Sequence, residues 1–148
     1  MHNSSVKSLA GTAIQDRVEV MSLSVPNRPY ILVVDDEEAI VSVVMFLLET
    51  EDYSGVGISD SQKVLPFLQQ AGSQHMPSVI LLDLMMKGLS GYAIAAELAR
   101  NEQFAHIPII IMTADNRVRS ASAVPGAIDY LGKPFQISTL LSKLQHYL

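Results

Sequence analysis

Three short runs of this chain are almost wholly apolar: Tyr30-Ile-Leu-Val-Val34, Val79-Ile-Leu-Leu82, and Ile107 to Met112 with Pro108 near its start. Segments with helical spacing of apolar residues lie between them. Ala39 to Thr50 carries Ile40, Val43, Val44, Leu47 and Leu48 on one stripe, and Gly91 to Arg100 is rich in alanine. Weaker signals fill the remaining places. Ser54 to Ile58 reads as a strand with two glycines, and Ser61 to Gln70 as a helix interrupted or started late at Pro66. Ala127 to Leu131 is a short strand, and Gln136 to Tyr147 a final helix. Strands that are apolar on both faces and alternate with helices belong to a parallel sheet covered on both sides. The fold class expected is therefore α/β and doubly wound.

Composition sets the outer limits. The chain has 148 residues, of which 49% are hydrophobic and 17% charged, as a globular domain requires. Ten Lys and Arg against fifteen Asp and Glu give a charge of -5, which argues against a generally basic nucleic-acid binder. Absence of cysteine excludes disulfides, thiolate metal sites and Cys nucleophiles. The longest apolar run, Ala39 to Leu48, is too short to span a bilayer, and no secretory signal is visible. A cytoplasmic location and no membrane partner are expected.

Composition shifts at Pro26-Asn27-Arg28-Pro29. Residues 1–29 are assigned to a tail and residues 30–148 to the domain. Val6, Leu9, Ala10, Ala13, Ile14, Val18 and Met21 fall near helical spacing, so a short amphipathic helix and a frayed tail both fit. A translation start at Met21 is a third reading. The frayed tail is favoured because the apolar residues are few and small.

In an open parallel sheet the functional site lies beyond the carboxyl ends of the strands. Asp35-Asp36-Glu37-Glu38 follows the first strand, Asp83 the third, Thr113 the fourth and Lys133-Pro134 the last. Converging carboxylates raise one another's pKa, and a hard divalent cation relieves the repulsion. Mg²⁺ suits few carboxylates, because it keeps several waters and takes other ligands from phosphate. Lys133 and Thr113 add an ammonium and a hydroxyl for phosphoryl oxygens. The set describes Asp83 as a nucleophile toward phosphorus. Each residue alone has a plainer role. Glu37 and Glu38 suit the acidic start of a helix. Asp83 suits a turn, Thr113 an N-cap and Lys133-Pro134 an ordinary loop. His2, His75, His106 and His146 fall outside these clusters and read as surface residues.

The stretches Ile31-Leu-Val-Val-Asp35-Asp36-Glu-Glu38, Val79-Ile-Leu-Leu-Asp83-Leu-Met-Met86, Pro108-Ile-Ile-Ile-Met-Thr113-Ala114 and Asp129-Tyr130-Leu-Gly-Lys133-Pro134-Phe135 together resemble the receiver domains of two-component response regulators. The resemblance covers residues 30 to 148. It implies a flavodoxin-like sheet of five parallel strands in order 2-1-3-4-5 with five helices. It implies that Asp83 accepts phosphate, and that Asp35, Asp36, Asp83 and the carbonyl of Met85 hold Mg²⁺. Lys133 then pairs with the phosphoryl group, Thr113 moves to bond it, and Tyr130 is the aromatic switch. Tyr130 also reads as an ordinary half-buried strand aromatic. The Lys133–Pro134 peptide is expected to be cis.

The partners implied are a sensor histidine kinase or histidine phosphotransfer protein and a downstream protein, with no direct nucleic-acid contact. The output surface expected is the fourth helix, fifth strand and fifth helix. The chain reads as a stand-alone receiver that catalyses only its own phosphorylation and dephosphorylation. Three departures stand out. Lys87 replaces the usual proline, which adds a charge and backbone freedom. The segment from Thr113 to Lys133 is short and contains Pro125-Gly126, so its helix should be short. The loop from Ala71 to Pro77 is slightly long.

Rival functions fit less well. A phosphohydrolase of the haloacid dehalogenase type needs Asp-x-Asp after the first strand, where this chain has Asp35 and Glu37. A flavodoxin-like nucleotide carrier needs a Ser/Thr/Gly-rich loop there, and this loop is acidic. A receiver used only for docking is disfavoured by the intact set of site residues.

Overall fold

The computed structural model describes residues 24–148. The Val6-to-Met21 stripe, His2 and the Met21 start lie outside the described residues. Five strands alternate with helices: β1 (Tyr30–Val34), α1 (Glu38–Thr50), β2 (Ser54–Ile58), α2 (Val64–Ala71), β3 (Val79–Asp83), α3 (Gly91–Arg100), β4 (Ile109–Thr113), β5 (Ala127–Gly132) and α4 (Ile137–Tyr147). Single 3-10 turns occupy Ser61–Lys63 and Ala121–Ala123. The strands are parallel and ordered β2-β1-β3-β4-β5, as the resemblance implied.

Alternation along each strand sorts the core into two halves. Leu32, Val34, Ile80, Leu82, Ile109 and Ile111 pack with α2 and α3 through Phe67, Leu68, Ile94 and Leu98. Ile31, Val33, Val79, Leu81, Ile110 and Met112 pack with α1 and α4 through Val44, Leu48, Leu140 and Leu144. Every residue of β1, β3 and β4 is buried, which is why those runs carry no polar alternation. Pro66 causes no kink: it lies in the first turn of α2, where its missing N–H has no intrahelical partner to lose. The glycines of β2 have a packing cause. A Cβ on Gly57 would lie 2.4 Å from Val41 Cγ1, so α1 sits close against this strand.

The helix count needs correction. The resemblance implied five helices, and the described residues contain four. Between β4 and β5 only the turn Ala121–Ala123 is present. Local chemistry accounts for the loss. Asp115 Oδ1 accepts the Arg117 amide, Ser120 is extended at φ −155°, and Gly126 takes φ +75° after Pro125. Polar side chains that bond nearby backbone compete with helix, and Pro125 bars its continuation. Val118 and Val124 are buried there and close the core. The face expected to carry a fourth helix is thus an irregular loop.

At the other end, Val25 is partly buried against the core and the Arg28 guanidinium donates to Ser54 Oγ. None of the helices among the described residues is long and apolar enough to cross a membrane.

Candidate functional site

Strand order brings the acids together. β1 lies beside β3, with Val34 opposite Leu82, so the residues that follow them meet at one sheet edge. The carboxylate oxygens of Asp35, Asp36 and Asp83 lie within 4.8 Å of one another. β4 adds Thr113 next to β3, and the Lys133 amide donates to the Thr113 carbonyl at 2.7 Å, which carries Lys133 over the cluster. The Lys133–Pro134 peptide is cis, as expected.

Asp35 is fully buried and doubly bonded. Its Oδ1 accepts the Glu37 amide at 3.0 Å, and its Oδ2 accepts the Lys133 ammonium. The same ammonium lies 3.5 Å from Asp83 Oδ2 and 3.8 Å from Glu37 Oε1. Glu37 therefore has a part in the site besides its place at the start of α1. Asp83 is also buried, and its Oδ1 accepts the Met85 amide at 3.2 Å. Burial first, and then the charge of Asp35, push the Asp83 carboxyl up to about 6 against the pull of Lys133. For Lys133, burial acts downward, but the bond to Asp35 and the charges of Asp83, Asp35 and Glu37 carry it above the ordinary lysine value.

Asp36 is half-buried, and its Oδ2 accepts the Lys87 amide at 2.9 Å. Thr113 is buried, and its Oγ1 accepts the Asp115 amide at 3.0 Å; it caps a turn and starts no helix. Met85 has an exposed side chain and lies two residues after Asp83 in the loop. Tyr130 stands apart, on β5 opposite Ile111, half-buried against the core, with Lys143 Nζ 6.0 Å from its ring centre. His75, His106 and His146 are exposed, as expected.

Two further contributors left little mark in the sequence. Ser61 is buried behind the loop after β3, which it bonds twice. Gly91 opens α3 against the end of β3, and a Cβ there would lie 2.1 Å from the Asp83 carbonyl oxygen. A glycine at a helix start is the only outward sign of that close approach.

A carboxyl whose pKa is raised by burial and by a neighbouring carboxylate, in a cluster of three carboxylates, fits a hard divalent cation. The arrangement can present one Asp83 oxygen as a nucleophile while an ammonium faces it.

Comparison with known proteins decides the family. The response regulator receiver domain model matches residues 31–145. The chain belongs to that family. Receiver domains are the phosphoacceptors of two-component signalling, and they interact with kinases and downstream effectors. The receiver is 33% identical over 119 residues to the DNA-binding dual master transcriptional regulator RpaA of Synechocystis, covering 79% of this chain and 48% of RpaA. It is 34% identical to the phosphate regulon regulatory protein PhoB of Pseudomonas aeruginosa, covering 78% and 49%. This chain thus spans about half the length of such relatives. Among solved structures, response regulator TrrA of Thermotoga maritima, in complex with Mg²⁺-BeF, superposes with TM-score 0.69 at 28% identity, over 82% of this chain and all of that one. Chemotaxis response regulator CheY4 of Vibrio cholerae gives 0.71 at 27%, with the same coverage.

Proposed function

We propose that Asp83 is the phosphoacceptor, and that it takes the phosphoryl group from a phosphohistidine on a sensor kinase or phosphotransfer protein. The observation that carries this reading is the Asp83 carboxylate, buried 3.5 Å from the Lys133 ammonium and clustered with Asp35 and Asp36. An Asp83 oxygen forms a bond to phosphorus as the P–N bond breaks, and the imidazole leaves with that electron pair. Lys133 faces the charge that develops on the phosphoryl oxygens. Asp35 holds the ammonium in place, and Thr113 turns its hydroxyl from the Asp115 amide to a phosphoryl oxygen. Tyr130 follows that movement as the switch residue.

Asp35, Asp36, Asp83 and the Met85 carbonyl are assigned to Mg²⁺, whose charge offsets that of carboxylates and phosphate when it is bound. The Mg²⁺-BeF complex of TrrA supports this choice of ion. The chain is itself no enzyme toward other substrates in this reading. Its output is a protein contact in the cytoplasm through β5, α4 and the loop before β5; the charge of -5 argues against direct nucleic-acid contact. Residues 30–148 form the receiver and residues 1–29 its tail.

The test is incubation with Mg²⁺ and a small acyl-phosphate donor, followed by intact-mass measurement. Wild type should gain one phosphate and Asp83→Asn none. Equal labelling of the variant overturns the assignment.

A further inference from the structure

A polar brace stands behind the loop from Leu84 to Ser90. Ser61 belongs to the single turn before α2 and is 2% exposed. Its hydroxyl donates to the Lys87 carbonyl at 2.8 Å and accepts the Leu89 amide at 2.9 Å. Donor and acceptor are both used, and together they clamp the loop across Gly88, whose φ is +75°. The fit is close: a Cβ on Gly88 would lie 3.2 Å from Ser61 Oγ.

One further bond joins this clamp to the site. The Lys87 N–H donates to Asp36 Oδ2 at 2.9 Å. A proline at position 87 has no such hydrogen. The chain therefore replaces a ring-locked residue with an amide that reaches a site carboxylate, and a hydroxyl from another element holds that amide still. Asp36 needs such a hold. It borders an open cleft of about 470 Å³ that it shares with Asp60 and Ser61, into which a loose carboxylate can swing. The Asp60 carboxylate is itself occupied, accepting the Gln62 amide at 3.0 Å.

We infer that Ser61 is a positioning residue for the divalent cation: through the Lys87 amide it fixes the orientation of Asp36 before the ion arrives. The inference rests on the metal reading given above. A carboxylate already ordered loses less freedom on binding, so its loss of support appears as weaker affinity.

The experiment is a MgCl₂ titration followed by amide chemical shifts, with melting in EDTA as the check on folding. Wild type and Asp36→Ala come first. No response in wild type, or an unchanged titration in Asp36→Ala, overturns the metal reading and this inference with it. With that reading intact, Ser61→Ala should raise the Mg²⁺ Kd three- to tenfold, and Ser61→Thr, which keeps the hydroxyl, should stay within twofold of wild type. Lys87→Pro should weaken binding, whereas Lys87→Ala, which keeps the N–H, should not. In the Lys87→Pro background, Ser61→Ala should add less than twofold, because the connecting amide is gone. An unchanged Kd in Ser61→Ala, or an undiminished effect in that background, overturns the inference. If Ser61→Ala does not fold, the Lys87→Pro and Lys87→Ala pair decides: equal affinity refutes the route through the amide.

Discussion

At the residue scale the site is a balance of like charges held under one ammonium, and its pH dependence follows. The Asp83 carboxyl titrates near 6 when folded against 3.8 as the reference value. The folded chain thus binds the proton more tightly than the unfolded one. The stability this gives is fully present below about pH 4 and is lost as pH rises to about 6. Metal-free Asp83→Asn should therefore be more stable than wild type at pH 7.5 by about 1–3 kcal/mol, and the gain should shrink toward zero near pH 4.5. Urea unfolding in EDTA at the two pH values checks this; a variant no more stable at pH 7.5 contradicts it. A second prediction concerns Thr113. Thr113→Ala should still be phosphorylated but should show smaller shift changes around Tyr130, since the variant lacks the hydroxyl proposed to bond the phosphoryl group. Wild-type-like changes there refute it.

The lifetime of the proposed acyl phosphate is expected to depend on single residues. Hydrolysis needs water in line with phosphorus. The exposed Met85 side chain offers no strong hydrogen bond to orient that water and can shield the group. Asp115, two residues after Thr113, is the second position proposed to border that path, and its carboxylate is engaged by Arg117 through Nε at 2.9 Å and Nη2 at 2.8 Å, which lowers its pKa to about 2. Met85→Asn should therefore shorten the phosphoprotein lifetime several-fold, while Asp115→Ala should change it little. Decay measured after donor removal decides; equal or slower decay in Met85→Asn rejects shielding.

At the element scale, what could be read in advance depended on how far a segment's own pattern matched its surroundings. β1, β3 and β4 are buried on both faces, so their uniform apolar runs could mean little else. The ends of those strands then mark Asp35, Asp83 and Thr113 in the sequence itself. Tyr130 was legible as a strand aromatic, but the Lys143 ammonium beside its ring was not. The segment between β4 and β5 misled because a family pattern outweighed local chemistry: Asp115, Ser120 and Pro125 each oppose a helix. Ser61 and the Lys87 amide were invisible because their partners lie 26 and 51 residues away. α3 supplies a sharper test. Its first residue has no space for a side chain against the Asp83 carbonyl, so Gly91→Ala must shift the helix or the strand end. It should cost about 1–3 kcal/mol and slow phosphorylation. Full stability and rate together contradict that close packing.

At the scale of the whole molecule, two half-cores share one sheet, and Val25 is the first of the described residues that packs on either of them. Removal of residues 1–24 should leave the melting temperature and the phosphorylation rate unchanged. Extending the deletion through Arg28 should lower the melting temperature by several degrees, since it removes the Val25 contact and the bond to Ser54. Thermal melts of both truncations check this. A large fall with the shorter one shows instead that the Val6-to-Met21 stripe packs on the domain.

The ion pair between Lys133 and Asp35 spans 98 residues of sequence. No local encounter forms it; the chain must close a loop that contains four strands and three helices, and the entropy of that closure is offset by packing of the domain, β5 included. A chain still emerging from the ribosome, with β1 and β3 made but β5 absent, carries the acidic residues without their ammonium. With Lys133 in the role proposed above, competence to receive phosphate belongs to the finished domain alone. On that reading a nascent or partly unfolded chain offers a kinase no working acceptor.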